Sequence, residues 1–270
     1  MPETLIQPHN LKSASVWNSG GSSYDEISRG IADSIEHAVF RLAPQPGEKV
    51  LDLATGTGWT SRRLVSHRAQ VTGLDLGQDL IEAARQAAAR AGLSIEYLVG
   101  DAEQLPFTDQ SFDAVISTCG IMFASRPEVA ASELARVCRP GGRIALTTWT
   151  PESNLFKMFL VIKKYLPPPP ASPPPSPFEW GRPERIRDLL GEAFELSFEQ
   201  ATSFYREPSA QKAWEVFSTG YGPVKSLASQ LEADRLAAFE QDFTDFHAQF
   251  PTALGICVPR DYLLTVGTRK

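Results

Sequence analysis

From residue 49 onward, short apolar runs alternate with stretches of helical period. Residues 49–53, 70–74, 95–99, 113–117 and 143–148 are strand-length and mostly apolar, while 56–66, 79–91 and 126–138 carry the helices between them. Strands this apolar, joined by helices, expect cover on both faces, which predicts a parallel, doubly wound α/β sheet. Gly92 is a suitable C-cap for the helix over 79–91, and Pro140-Gly141-Gly142 reads as the turn into the fifth strand.

The flanks read differently. The first fifteen residues carry no convincing period. Over 24–42, Ile27, Ile31, Ile35, Ala38, Val39 and Leu42 recur at helical spacing, predicting one or two helices packed on one face and stopped by Pro44 and Pro46-Gly47. Beyond Trp149 the rhythm breaks, and residues 167–177 hold eight prolines in eleven positions. Such a stretch lacks backbone donors, so it should run as polyproline II or an irregular connection, serving either as a surface spacer or as a lid. A helix is then expected over 184–190, a strand over 196–205 and a helix over 210–217. Within 227–250 at least one long amphipathic helix should lie, its stripe of Leu231, Leu236, Phe239, Phe243, Phe246 and Phe250 packed as core against the sheet. Residues 262–267 give a last strand.

Composition narrows the class. A chain of 270 residues with 42% hydrophobic content can bury one large core, so a single domain over 1–270 is expected. Cys119, Cys138 and Cys257 cannot all pair and form no closely spaced cluster; His9, His37, His67 and His247 form no metal motif, so no metal is expected. With 32 acidic against 26 basic residues the formal charge is −6, which gives no reason to expect a nucleic-acid partner. Arg62-Arg63 and Lys163-Lys164 read as solvated helix faces. No basic segment precedes an apolar run and a cleavage site, and no window approaches the roughly 18 apolar residues that cross a bilayer. The reading is a soluble, cytoplasmic protein without membrane insertion, monomeric or homodimeric.

The candidate chemistry centres on Val50-Leu51-Asp52-Leu53-Ala54-Thr55-Gly56-Thr57-Gly58. Small residues between a buried strand and a helix let the backbone approach a ligand and leave helix N-terminal amides free for its polar groups. A tight turn would use the same residues. Asp75 ends the second strand, where a carboxylate can accept both hydroxyls of a ribose, and Asp101 follows the third strand at the same carboxyl edge. Either could instead cap the following helix. The three features together outweigh any one.

The segment from about residue 47 to 150 resembles the class I S-adenosylmethionine-dependent methyltransferases, and particularly the ubiquinone and menaquinone biosynthesis branch. The resemblance rests on Val50-Leu51-Asp52 and the loop through Gly58, Gly73-Leu74-Asp75, Gly100-Asp101-Ala102, Leu105-Pro106-Phe107, Ser111-Phe112-Asp113 and Arg139-Pro140-Gly141-Gly142. It is looser around Trp17 and Tyr24-Asp25-Glu26-Ile27-Ser28. Ala54 stands where many members have their first glycine, as is compatible with the quinone-methyltransferase-like branch. The resemblance implies a Rossmann-like, doubly wound seven-stranded sheet with its last strand antiparallel, and S-adenosyl-L-methionine as cofactor. The loop would lie beside its methionine portion, Asp75 would hold the ribose and Asp101 would contact adenine. The expected cofactor residues are Asp52, Ala54, Thr55, Gly56, Gly58, Asp75, Leu76, Asp101, Ala102 and Thr118.

The acceptor side is drawn from the edge of the sheet and from the flanks. Thr118, Cys119, Gly120, Met122 and Phe123 follow the fourth strand and Trp149 the fifth. Cys119 has no histidine partner that would make it a covalent nucleophile. Tyr24 and His247 are the candidates for orienting or deprotonating an acceptor, and Trp17, Tyr24, Met122, Phe123, Trp149, Phe243 and His247 for holding it. The expected organisation is an N-terminal helical cap over 1–46, a cofactor-binding core over 47–150, the proline-rich connection over 167–177 and a helical substrate-covering insertion over 206–256. The expected activity is methyl transfer to a small, aromatic or apolar molecule. Two alternatives stay open: a nicotinamide-dependent oxidoreductase, although Gly56-Thr57-Gly58 followed by Ser61 lacks the last glycine of its fingerprint, and a regulatory protein that binds the adenosyl cofactor without turnover.

Overall fold

The computed structural model describes residues 6–168 and 175–270. Its sheet is built on five parallel strands: β1 (Lys49–Leu53), β2 (Gln70–Asp75), β3 (Glu96–Val99), β4 (Phe112–Thr118) and β5 (Cys138–Trp149). Two long strands follow, β6 (Phe194–Glu207) and β8 (Gly255–Arg269), with a two-residue β7 (Pro251–Thr252) that pairs only with β8. The order is β3-β2-β1-β4-β5-β8-β6, and β8 runs antiparallel to both β5 and β6. The expected seven-stranded sheet with its last strand antiparallel is thus present, extended by β7.

Helices cover both faces, which is why the central strands have no polar side. Val50, Leu51 and Leu53 of β1 and Ala114, Val115 and Ile116 of β4 are all fully buried. The helices are α1 (Leu11–Asn18), α2 (Tyr24–Arg29), α3 (Ala32–Leu42), α4 (Trp59–Val65), α5 (Gln78–Arg90) and α6 (Pro127–Val137). After β5 come α7 (Asn154–Lys163) and α8 (Pro183–Leu190); between β6 and β7 come α9 (Ala210–Gly220), α10 (Gly222–Ala228) and α11 (Ala233–Ala248). Strand order reverses between β1 and β4, so the loops leaving these two strands flank a crevice at the carboxyl edge of the sheet.

Four features depart from the sequence reading. A helix, α1, forms within the aperiodic N-terminus. Another, α7, forms in a run whose apolar residues are nearly continuous; Leu155, Met158 and Ile162 are its buried face. Strand β5 starts at Cys138, so Pro140-Gly141-Gly142 lies inside it, beside a register shift between Phe112 and Ala114. The stripe of α11 packs chiefly on α9 and α7, and less on β8, so it is core between helices more than core against the sheet. Of the proline-rich segment, residues 169–174 lie outside the described residues, and Pro177–Gly181 forms a 3-10 turn.

The N-terminal helices and the excursion after β6 meet at their backbones. A Cβ at Gly20 would fall 2.4 Å from the carbonyl oxygen of Gly220, and one at Gly222 would fall 2.3 Å from that of Val16. Only glycine permits these approaches, so α1 and α2 are clamped to α9 and α10 over the crevice. Among the described residues, no helix is long and apolar enough to cross a membrane.

Candidate functional site

The loop after β1 is shaped from beneath by Asp52. This buried carboxylate accepts hydrogen bonds from Thr55 Oγ1 and Ser61 Oγ, both at 2.6 Å, while its Oδ1 has no partner. Burial pushes Asp52 up to about 6, against the lowering effect of its hydroxyl partners. Above it the backbone takes left-handed values at Ala54 (φ 58°), Gly56 (φ 56°) and Gly58 (φ 76°). Glycine adopts these freely and alanine does not, so Ala54 carries local strain at the site. Gly58 is further constrained: a Cβ there would fall 2.2 Å from the hydroxyl of Tyr97.

The loop is tied to the end of β2. The Gly56 N–H donates to Asp75 Oδ2 at 2.8 Å and the Gly77 N–H to Oδ1 at 3.0 Å. Burial raises the Asp75 carboxyl, and these backbone donors hold it down. Asp101 is fixed in a similar way from another direction. Its Oδ2 accepts from the Gln7 N–H at 3.0 Å and from Asn10 Nδ2 at 2.8 Å, and its Oδ1 from the Glu103 N–H at 2.9 Å. The N-terminal segment therefore straps the loop after β3.

These elements surround one cavity. Of the expected cofactor residues, Ala54, Thr55, Gly56, Asp75, Leu76, Asp101, Ala102 and Thr118 line it. Asp52 and Gly58 do not: Asp52 is turned under the loop towards Ser61, and Gly58 is the N-cap of α4, packed on Tyr97. Their contribution is to the shape of the loop.

The acceptor candidates divide. Trp17, Tyr24 and Phe123 line the same cavity, joined by Trp59. Trp17 packs on Phe123 at 4.9 Å between ring centroids and on Tyr24 at 6.3 Å. Met122, Trp149, Phe243 and His247 are not part of its wall; all four are buried elsewhere in the core. His247 packs on Phe243 with ring centroids 4.5 Å apart and the planes tilted by 33°, and its Nδ1 lies 2.8 Å from the Phe243 carbonyl oxygen. Burial pushes His247 down to about 4, so it is neutral and packed against aromatic rings. Tyr24 lies against Gly56, and burial together with the Asp75 charge raises its phenol far above the ordinary range. Tyr24 is consequently a hydrogen-bond donor near neutral pH and not a base.

Sequence reasoning missed Asn10 and Ser13, which reach the cavity from the aperiodic N-terminus. No periodic signal marks them. Cys119, also in the wall, holds φ 57° directly after β4. Burial pushes its thiol up to about 12, in keeping with the absence of a covalent role.

Residues 51–146, which span β1 to β5, match the family model described as a methyltransferase domain. An uncharacterized protein of Mycobacterium tuberculosis is 36% identical over 200 residues, covering 73% of this chain and 72% of the relative. The chain belongs to one family with this mycobacterial protein, and its residues 51–146 form a class I methyltransferase domain. The ubiquinone/menaquinone biosynthesis C-methyltransferase UbiE of a Ruegeria species is 33% identical over 156 residues, covering 53% of this chain and 62% of that one. Among solved structures, the YcgJ protein of Bacillus subtilis shares the fold, with a TM-score of 0.60 at 17% identity over 90% of this chain and 99% of that one.

The cofactor of the class I family, S-adenosylmethionine, fits the residues present. Asp75 keeps lone pairs free beside its two backbone bonds, as vicinal hydroxyls require. The left-handed Gly56 brings bare backbone to the same wall, and Ala102 and Leu76 supply apolar cover.

Proposed function

We propose that this protein transfers a methyl group from S-adenosylmethionine to a small molecule with an apolar or aromatic body, as a neighbour of the ubiquinone and menaquinone biosynthesis branch. One observation carries the reading. A single cavity joins Ala54, Gly56 and Asp75 on one side to Trp17, Tyr24, Trp59 and Phe123 on the other. The relative named UbiE, similar over half of this chain, supports the same branch.

Bound in that cavity, S-adenosylmethionine supplies a methyl group on a sulfonium, electrophilic enough to need no covalent help from the protein. The chain's tasks are to position an acceptor and to exclude water. Asp75 accepts from the ribose hydroxyls, and Asp101 lies at the adenine end. The aromatic faces favour a cation beside them and grip an apolar acceptor. Tyr24 orients the acceptor by donating a hydrogen bond, and an acceptor that must lose a proton gives it up to solvent or ionises beforehand. The helices α9 and α10, clamped to the N-terminal helices and backed by α11, cover the acceptor. We infer a cytoplasmic protein, monomeric or homodimeric, acting on no nucleic acid, as its acidic balance suggests.

Labelled-methyl transfer from S-adenosylmethionine, screened against phenols, quinols, amines and fatty acids beside a basic peptide and RNA, tests the acceptor class. Label entering apolar or aromatic small molecules is expected. Label entering only the charged polymers overturns the reading.

A further inference from the structure

Arg260 stands on β8 opposite Ser203 of β6, just beyond the point where Tyr262 pairs with Trp149 at the end of β5. This is the carboxyl edge of the sheet, where ligands of open α/β folds bind. The residue is only 3% exposed, and its Nη2 is buried without a hydrogen-bond partner. Its guanidinium lies over the ring of Tyr205, with Cζ 4.1 Å from the centroid, and 5.6 Å from that of Phe217. Aromatic faces hold a cation but do not neutralise it.

No ion pair compensates Arg260 among the described residues. The acid whose charge reaches it is Asp33, and that carboxylate is occupied by the Ser34 N–H at 2.8 Å, Ser203 Oγ at 2.5 Å and the Phe204 N–H at 3.0 Å. The other groups around it stay neutral near pH 7: burial raises Tyr205, Tyr221 and Cys119, and burial together with the Arg260 charge lowers His247. Burial lowers Arg260 itself to about 10, which leaves it charged. An unpaired buried cation is among the costlier features a fold can hold. Arg260 is not itself in the cavity wall, but its field falls on Cys119, which is, and on Tyr221, which lies behind the wall and packs edge-on against Trp17 of it at 5.5 Å.

We propose that Arg260 binds an anionic oxygen group of the methyl acceptor, a carboxylate or an acidic phenol. The apolar body of this acceptor lies against Trp17, Tyr24 and Phe123, and its charged end passes Cys119 to meet the guanidinium. That the anion belongs to a methyl acceptor rests on the proposed methyl transfer; the anion site itself does not. The arrangement selects amphiphilic acids over neutral molecules of the same shape, because a neutral group leaves Arg260 uncompensated.

The test is calorimetric titration of the full chain with benzoate and with benzamide, each with and without S-adenosylhomocysteine. Wild type should bind benzoate about tenfold or more tighter than benzamide, as a charge-assisted contact to a buried cation provides. Arg260→Met should abolish that preference while leaving S-adenosylhomocysteine affinity and the melting temperature undiminished, since it removes an unpaired charge; Arg260→Lys should keep part of it. Arg260→Gln replaces the methionine variant if that one does not fold. Equal affinity for the two probes in wild type, failure to bind either included, overturns the proposal. So does a preference that survives in the folded neutral variant. A benzoate preference without affinity for S-adenosylhomocysteine would keep the anion site and defeat the methyltransferase reading, whereas the converse result would do the opposite.

Discussion

Gly56 donates its backbone N–H to Asp75 Oδ2 at 2.8 Å, and this bond joins the loop after β1 to the end of the neighbouring strand β2. The same carboxylate that shapes the loop thus faces the cavity that the loop borders. Shape and ligand recognition are coupled in one side chain.

Asp75→Ala should therefore weaken S-adenosylmethionine binding twice over, by losing the ribose contact and by freeing the loop. Loss of a charge-assisted bond alone amounts to roughly 1.5 to 3 kcal/mol, or more than about tenfold in affinity. Calorimetry on the folded variant checks it. Unchanged affinity would remove Asp75 from the site.

Tyr24→Phe separates orientation from proton removal. The raised Tyr24 phenol can donate but not deprotonate, so the variant should bind S-adenosylmethionine normally and lose about five- to tenfold in kcat, the scale of one hydrogen bond. The pH profile of kcat should keep its shape. A basic limb that disappears in the variant would show instead that Tyr24 titrates in the reaction.

Ala54 and Gly120 make a steric pair. A Cβ at Gly120 would lie 2.4 Å from the Cβ of Ala54, so Gly120→Ala should destabilise the fold by about 1 to 3 kcal/mol, the usual scale of overpacking. Ala54→Gly should restore part of that loss in the double variant, because it removes the clashing atom and relieves the left-handed alanine. Urea unfolding of the four proteins gives the coupling energy, and additive effects would contradict the contact.

His247 and Asp52 act oppositely with pH. His247 is depressed to about 4 in the fold against about 6.5 unfolded, so the unfolded chain binds the extra proton and stability is lost as pH falls from about 6.5 towards 4. Asp52 is raised to about 6, so its contribution is present at low pH and is lost as pH rises through 6. Over pH 4 to 6 the two offset each other. His247→Leu should leave melting temperatures that rise relative to wild type as the solution is acidified across that window. A difference between the two proteins that does not change with pH would contradict a buried, neutral His247.

What the sequence made legible was what is local in the chain. The loop from Ala54 to Gly58, Asp75 and Asp101 each follow a strand whose apolar run is self-evident, so their common edge could be read before any contact was known. Trp17 and Tyr24 were reached through family resemblance and are in the cavity wall. Phe243 lies on the predicted apolar stripe and His247, expected at the acceptor, lies beside it; a stripe does not say which neighbour it faces, and this one faces α9 and α7, away from the cavity. Helix α7 was missed because Asn154–Lys163 is almost continuously apolar and hides its period. Arg260 was invisible for a further reason: an arginine between Pro259 and Asp261 reads as surface, and the aromatic rings that it packs against, Tyr205 of β6 and Phe217 of α9, are distant in the chain.

The most direct measurement is calorimetric titration of the purified chain with S-adenosylmethionine, S-adenosylhomocysteine and NAD. Saturable binding of both adenosyl ligands at one site per chain, weakened by Asp75→Ala and absent for NAD, is the predicted result. Selective binding of NAD, with neither adenosyl ligand bound, would contradict the assignment of this cavity.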